Sequence, residues 1–127
     1  MKRKLDKQLC AKYPKLFRDR NAPINETCMY WGGFECGDGW YNIINQLCGN
    51  IQNHIDWKHI PQVVVTQVKE KFGTLRFYYS SGDDVIDGMV RMAEAMSAVT
   101  CEECGSPGEQ RSDGWVRTLC NTHAKSS

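Results

Sequence analysis

The sequence predicts an α+β fold: helices plus an antiparallel β-hairpin, ending in a treble-clef-like zinc module. Three features predict it: an apolar helical period across residues 40–55, two β-branched or aromatic runs flanking a glycine, and a Cys-x2-Cys … Cys-x2-His pattern near the carboxyl end. With 127 residues, 41% of them hydrophobic and 24% charged, the chain has the composition of an ordinary globular protein and the length of one unit plus a small appendage. The expected division is an α+β core with a basic N-terminal helix over residues 1–99, and a zinc-binding module packed on it over residues 100–127.

The first element is a helix over residues 4–17, with Leu5, Leu9, Cys10, Tyr13 and Leu16 on or near one face and Pro14 ending or kinking it. Residues 18–37 read as loop, from Asn21-Ala22-Pro23 through Trp31-Gly32-Gly33 to Cys36-Gly37. Their aromatic content predicts a loop packed down on the body. In Gly37-Asp38-Gly39-Trp40, Asp38 is placed to cap a helix. Trp40, Ile43, Ile44, Leu47, Cys48, Ile51 and Ile55 then follow three-and-four spacing, and Pro61 closes the segment. Residues 63–68 form a Val-rich strand, and Lys69 to Gly73 connect it to a partner strand over residues 74–79. The aspartates of Ser80–Asp84 cap a helix over residues 84–99, which should bury Val85, Ile86, Met89, Val90, Ala93 and Met96.

Cys101 and Cys104 are separated by two residues, Cys120 and His123 by two, and the pairs by fifteen. That spacing reads as one tetrahedral zinc site. A tight turn after Cys101, with Gly105 free to take positive φ, aims both thiols at one point. A short hairpin across residues 106–119 and a stub of helix bring the second pair. Four protein ligands leave no open coordination position, so the expected zinc ion is single and structural.

Seven cysteines in a chain without a disulfide framework point to metal binding or buried thiols in a reducing compartment. No run approaches the roughly 18 apolar residues of a membrane span, and no apolar segment follows the basic start Met1-Lys2-Arg3-Lys4. The expectation is a cytoplasmic protein with no membrane partner. Residues 1–20 carry eight Lys or Arg against Asp6 and Asp19, whereas the remainder carries eight basic and thirteen acidic side chains. A basic arm of this kind either contacts phosphate or an acidic partner, or is a solvated helix face.

Other chemistry-bearing residues have structural readings that compete with functional ones. Cys36, beside a helix start, has the position of an activated thiol, yet no base is fixed near it in sequence. His54, Asp56 and His59, with Cys28 or Cys36, are the raw material of a second metal site at no common spacing. Lys69, Lys71 and Arg76 interleave with Phe72, Phe77, Tyr78 and Tyr79, as in nucleic-acid-binding sheets but also as in any half-buried hairpin.

Several stretches together carry a resemblance: Gly37-Asp38-Gly39-Trp40, residues 69–79 (KEKFGTLRFYY), residues 92–97 (MAEAMS), and the joined Cys-x-x-Cys-Gly and Gly-Trp-x-Arg-Thr-Leu-Cys-x-x-His pattern. From about Tyr13 to His123 the chain resembles a family of small zinc-binding proteins encoded by bacteriophages and prophages. The resemblance brings no established activity and no catalytic residues to carry over. It implies a zinc-containing protein working in the cytoplasm of an infected or lysogenic bacterium. Small phage proteins often act on host machinery, including defence systems such as CRISPR nucleases. The leading expectation is therefore a non-enzymatic protein that binds a host protein. The alternatives are a nucleic-acid-binding accessory factor, and a small metal- or cysteine-dependent enzyme centred on Cys36.

Overall fold

The chain is described from a computed structural model covering residues 1–20, 33–112 and 114–126. Cys28 and most of the aromatic loop lie outside the described residues, so the expectations resting on them are not addressed. Helix α1 (Arg3–Lys12) buries Leu9 and Cys10 and stops before Pro14, as the ring demands of the residues preceding it. It also buries Asp6, whose carboxylate accepts the Phe34 amide (3.1 Å). That bond caps a short strand, β1 (Phe34–Glu35), absent from the sequence reading because two residues carry no periodicity.

A 3-10 turn over Asp38–Trp40 leads into α2 (Tyr41–Lys58). Asp38 is not the helix cap expected of it: α2 begins at Tyr41 with no side-chain cap, and the Asp38 carboxylate instead accepts the Lys2 amide at 2.7 Å. The apolar period behaves as predicted, with Trp40, Ile44, Cys48 and Ile51 fully buried. The helix ends at His59, which takes the left-handed conformation (φ 56°) that lets its amide and that of Ile60 bond the Ile55 carbonyl.

Strand β2 (Val64–Lys71) pairs in parallel with β1 and antiparallel with β3 (Thr74–Ser80), giving the order β1-β2-β3. A register shift between Val65 and Gln67 makes Thr66 an extra residue, which lets Val64 and Val65 both be buried despite being neighbours. The connection is tighter than the sequence suggested. β2 runs to Lys71, and only Phe72 (φ 53°) and Gly73 (φ 82°) form the turn, the two-residue type with both central φ positive.

Helix α3 (Asp84–Ser97) opens with Asp83, whose side chain accepts the Ile86 amide at 3.0 Å. It lies along the free edge of β3, where Ser97 Oγ accepts the Leu75 amide (2.8 Å) and Glu94 Oε2 the Phe77 amide (3.0 Å). Two edge donors that would otherwise face solvent are thereby satisfied. The buried stripe is Ile86, Val90, Ala93 and Ser97, with Met89 packed against it. Val85 and Met96, expected in the core, are exposed (49% and 48%). Ser97 closes the stripe in place of Met96, because its hydroxyl is what the β3 edge needs. A two-stranded ribbon, β4 (Glu109–Arg111) with β5 (Arg117–Leu119), and helix α4 (Asn121–Ser126) complete the α+β fold. No helix among the described residues is long and apolar enough to cross a membrane.

Candidate metal centre

The turn after Cys101 is built from backbone bonds. The Cys101 amide donates to the Ser106 carbonyl (2.7 Å) and the Gly105 amide to the Cys101 carbonyl (2.9 Å), with Gly105 at φ +83°. Both Cys101 and Cys104 therefore face inward on one knuckle. The ribbon returns the chain so that Cys120, directly after β5, and His123, in the first turn of α4, stand opposite. Arg111 pins this return by donating to the Leu119 carbonyl (3.2 Å) and to Asn121 Oδ1 (2.9 Å).

The four ligand atoms lie within 4.8 Å of one another. A tetrahedral ion with Zn–S near ~2.3 Å and Zn–N near ~2.0 Å requires S···S separations of about 3.8 Å and S···N separations of about 3.5 Å. Cys104 Sγ and Cys120 Sγ are 3.8 Å apart, and His123 Nδ1 is 3.7 Å from Cys101 Sγ and 3.3 Å from Cys120 Sγ. The donor set fits a four-coordinate metal, with Nδ1 as the imidazole ligand, a detail the sequence spacing did not fix. Without a metal the electrostatics divide, two thiols shifting toward the ligating thiolate and the other two groups away from their ligating forms. The amide and imidazole of His123 lower the Cys120 thiol to about 6, and the Ser106 hydroxyl lowers Cys104. Burial raises the innermost thiol, Cys101, and the bond to Cys120 raises His123. The four side chains form a cluster suited in donor type and proximity to holding a metal ion.

The knuckle does not stand free. The Gly39 amide donates to the Glu102 carbonyl (2.7 Å), the Gly37 amide to Glu102 Oε2 (2.9 Å), and the Trp40 indole to the Thr100 carbonyl (3.0 Å). On the other flank, Thr118 Oγ1 donates to the carbonyl of Gly73 in the β2–β3 turn (2.7 Å). Arg117 pairs with Glu103 and lies 3.7 Å from Glu102. Glu102 is buried, and its carboxyl is pushed above the ordinary range by that burial, against the opposing pull of the Gly37 amide and Arg117. The loop Gly37-Asp38-Gly39-Trp40 is thus the seat of the metal module, a role that no local sequence signal announces.

The remaining candidate residues are not assembled. Cys36 is buried, and burial pushes its thiol up to about 12, the opposite of an activated nucleophile. His54 Nε2 sits 2.7 Å from Asp83 Oδ2, holding the carboxyl below its usual range. Asp56 accepts from Gln52 (3.0 Å), and His59 ends α2. Among the described residues, Cys101, Cys104, Cys120 and His123 are the one group of three or more Cys, His, Asp and Glu in metal-binding proximity. The molecule is defined by its parts, an α+β body clasping a knuckle, a ribbon and a short helix around a Cys3His set. No family model, curated protein or solved structure matches the chain.

Proposed function

We propose that this chain is a phage-encoded, non-enzymatic interaction protein whose single zinc ion is a structural staple and whose partner is a host protein, a component of a defence system being the leading class. The observation that carries the reading is the donor set, three thiols and one imidazole within 4.8 Å of one another; an ion bound tetrahedrally by all four would have no position left for water or substrate. Soft sulfur-rich tetrahedral donors favour zinc. An ion held there would tie two parts of the fold together, through the Gly37–Trp40 loop on one side and the β2–β3 turn on the other. Cys36, the residue on which an enzymatic reading would rest, is buried with a raised thiol. The phage resemblance of the motifs supports the host-directed part of the proposal, and the treble-clef order of knuckle, ribbon and helix supports the structural role of the metal.

The test is metal analysis followed by affinity capture. The purified chain is expected to hold one zinc per molecule, and the loaded chain to retain a stoichiometric host protein that a Cys101→Ser, Cys120→Ser chain does not. Substoichiometric metal in a folded protein contradicts the staple. Equal capture by both chains contradicts its part in the interaction.

A further inference from the structure

We infer that the outward face of the β2–β3 hairpin, together with the tip of the metal module, binds a single-stranded polynucleotide. Alternation along the hairpin turns Val68, Leu75 and Phe77 into the core and leaves the other parity outside. On that outer parity, Lys69 stands directly across from Arg76, Gln67 from Tyr78, and Lys71 from Thr74. Three cations thus share one small surface. Among the described residues none of the three forms an ion pair, although Glu35 is Lys69's register neighbour on β1 and Glu70 is next in sequence. The Nε of Arg76 is buried with no hydrogen-bond partner. That atom is shielded from solvent, so what Arg76 offers an anion outside is its positive charge and not this donor.

Aromatic rings border the same cations. Phe72, at the turn, is 68% exposed, with the Lys71 ammonium 5.6 Å from its ring centre, and Tyr78 is 43% exposed. Trp115 is the most exposed large apolar side chain described, at 79%. It is held over the hairpin because Val116 and Arg117 pass within 3.4 Å of a Cβ built on Gly73. Lys69, Lys71, Phe72, Trp115 and Val116, with the carboxylate-bearing Glu70 among them, line a cleft of about 440 Å³ between hairpin and module; Glu70 is engaged there by accepting the Gly73 amide (2.7 Å). Exposed ring faces next to unpaired cations match bases and phosphates in alternation, the composition of single-strand binding surfaces. An acidic peptide would use the cations but leave Trp115 and Phe72 without a matching chemistry, so charge and ring content together favour the polynucleotide. The other two hairpin aromatics take no part: Phe77 is buried, and the Tyr79 hydroxyl is bonded to Asp87.

The experiment is fluorescence anisotropy of labelled mixed-sequence oligonucleotides of ~16 nucleotides, single-stranded DNA, single-stranded RNA and the matching duplex, against the full metal-loaded chain. At least one single strand is expected to bind ~10-fold more tightly than duplex, with a log–log salt slope of about −2 from three phosphates neutralised. Which of DNA and RNA is preferred identifies the source of the strand. Trp115→Ala should weaken binding about tenfold, the loss of one stacked base. Lys69→Gln with Lys71→Gln should flatten the slope by about 1.4 units. Lys4→Gln with Lys7→Gln, in the basic N-terminal helix, should change neither. Each variant is checked for metal content and unfolding temperature, and Trp115 and Lys71, both exposed, can be replaced without touching the core. The inference is overturned by no binding to either strand, by equal binding to duplex, by loss only in the Lys4/Lys7 variant, or by polyglutamate binding with the same variant sensitivity. It does not depend on the host protein proposed above. Loaded metal without strand binding removes this inference alone, whereas a folded chain without metal removes the staple alone.

Discussion

Gly39→Ala tests whether the Gly37–Trp40 loop is the seat of the metal module. A Cβ on Gly39 would stand 2.1 Å from the Cys101 carbonyl oxygen, 2.6 Å from the Gly105 amide nitrogen and 2.7 Å from the Glu102 carbonyl carbon. All three are backbone atoms of the knuckle, so no side-chain rotation relieves the overlap. The loop must withdraw, and withdrawal strains three bonds: Gly39 to Glu102, Gly37 to Glu102 and Trp40 to Thr100. At about 1 kcal/mol net per hydrogen bond this is ~3 kcal/mol, within the range of 1–3 kcal/mol typical of overpacking. At roughly 4 °C per kcal/mol for a domain of this size, the unfolding midpoint should fall by ~12 °C. The assay is calorimetry of the metal-loaded chain, with metal affinity read by competition against a chromophoric chelator. Both should drop, because the displaced atoms belong to the turn that carries Cys101 and Cys104. A change inside the ~0.5 kcal/mol of an ordinary surface substitution, with metal affinity intact, would refute the docking described here.

Other substitutions test separate parts of the fold. Gly88→Ala is the natural companion to Gly39→Ala: its Cβ meets nothing within 4 Å on an exposed turn of α3, so it should stabilise by about 0.5–1 kcal/mol, read from the denaturation midpoint. His59→Gly, at the left-handed end of α2, should add about 1 kcal/mol in the same measurement, and a loss would mean the imidazole makes a contact worth more than the backbone strain. Asp83→Asn keeps a capping side chain but removes the charge that His54 holds ionised. Because the Asp83 carboxyl is depressed below 3.8, its extra stability is present above the ordinary carboxylate range and lost as pH falls through the folded value. The wild type and Asp83→Asn should therefore differ at pH 6 and converge in strong acid, and a constant gap would locate the effect elsewhere.

The helices were legible from their apolar period and the principal hairpin from two β-branched or aromatic runs around a glycine. The Trp40–Ile55 stripe buries the residues its spacing selects, whereas the Val-rich run buries Val63, Val64 and Val65 in succession. The clustering of Cys101, Cys104, Cys120 and His123 was legible for a different reason: coordination geometry restricts sequence spacing so tightly that two short Cys and His pairs suffice to suggest it. Three features were not legible, and each depends on a distant partner. β1 exists only because Asp6 and β2 receive its backbone groups. Val85 and Met96 look like core by composition, but the position facing β3 needed a hydroxyl, which Ser97 supplies. The glycines at 37 and 39 look like turn residues, yet their small size serves a contact 65 residues away at the Gly37–Glu102 bond.

Metal and surface are connected through β5. Cys120 follows Leu119 directly, Thr118 is bonded to Gly73, and the segment leading into the strand carries Trp115. The cations Lys69, Lys71 and Arg76, by contrast, sit on a hairpin whose pairing owes nothing to the metal. Stripping the ion therefore should not abolish strand binding uniformly. It should release Trp115 from the cleft while leaving the phosphate contacts in place, so affinity falls about tenfold, as in Trp115→Ala, with the salt slope preserved. Binding free energies at linked sites are reciprocal, so a saturating single strand must raise the metal affinity by the same factor, read as the chelator concentration that strips the ion at equilibrium. Trp115→Ala should remove that protection, whereas the Lys69/Lys71 variant should retain it once strand concentration is raised to saturation. Metal extraction indifferent to bound strand would separate the two sites and leave the ion as a fold staple with no bearing on recognition.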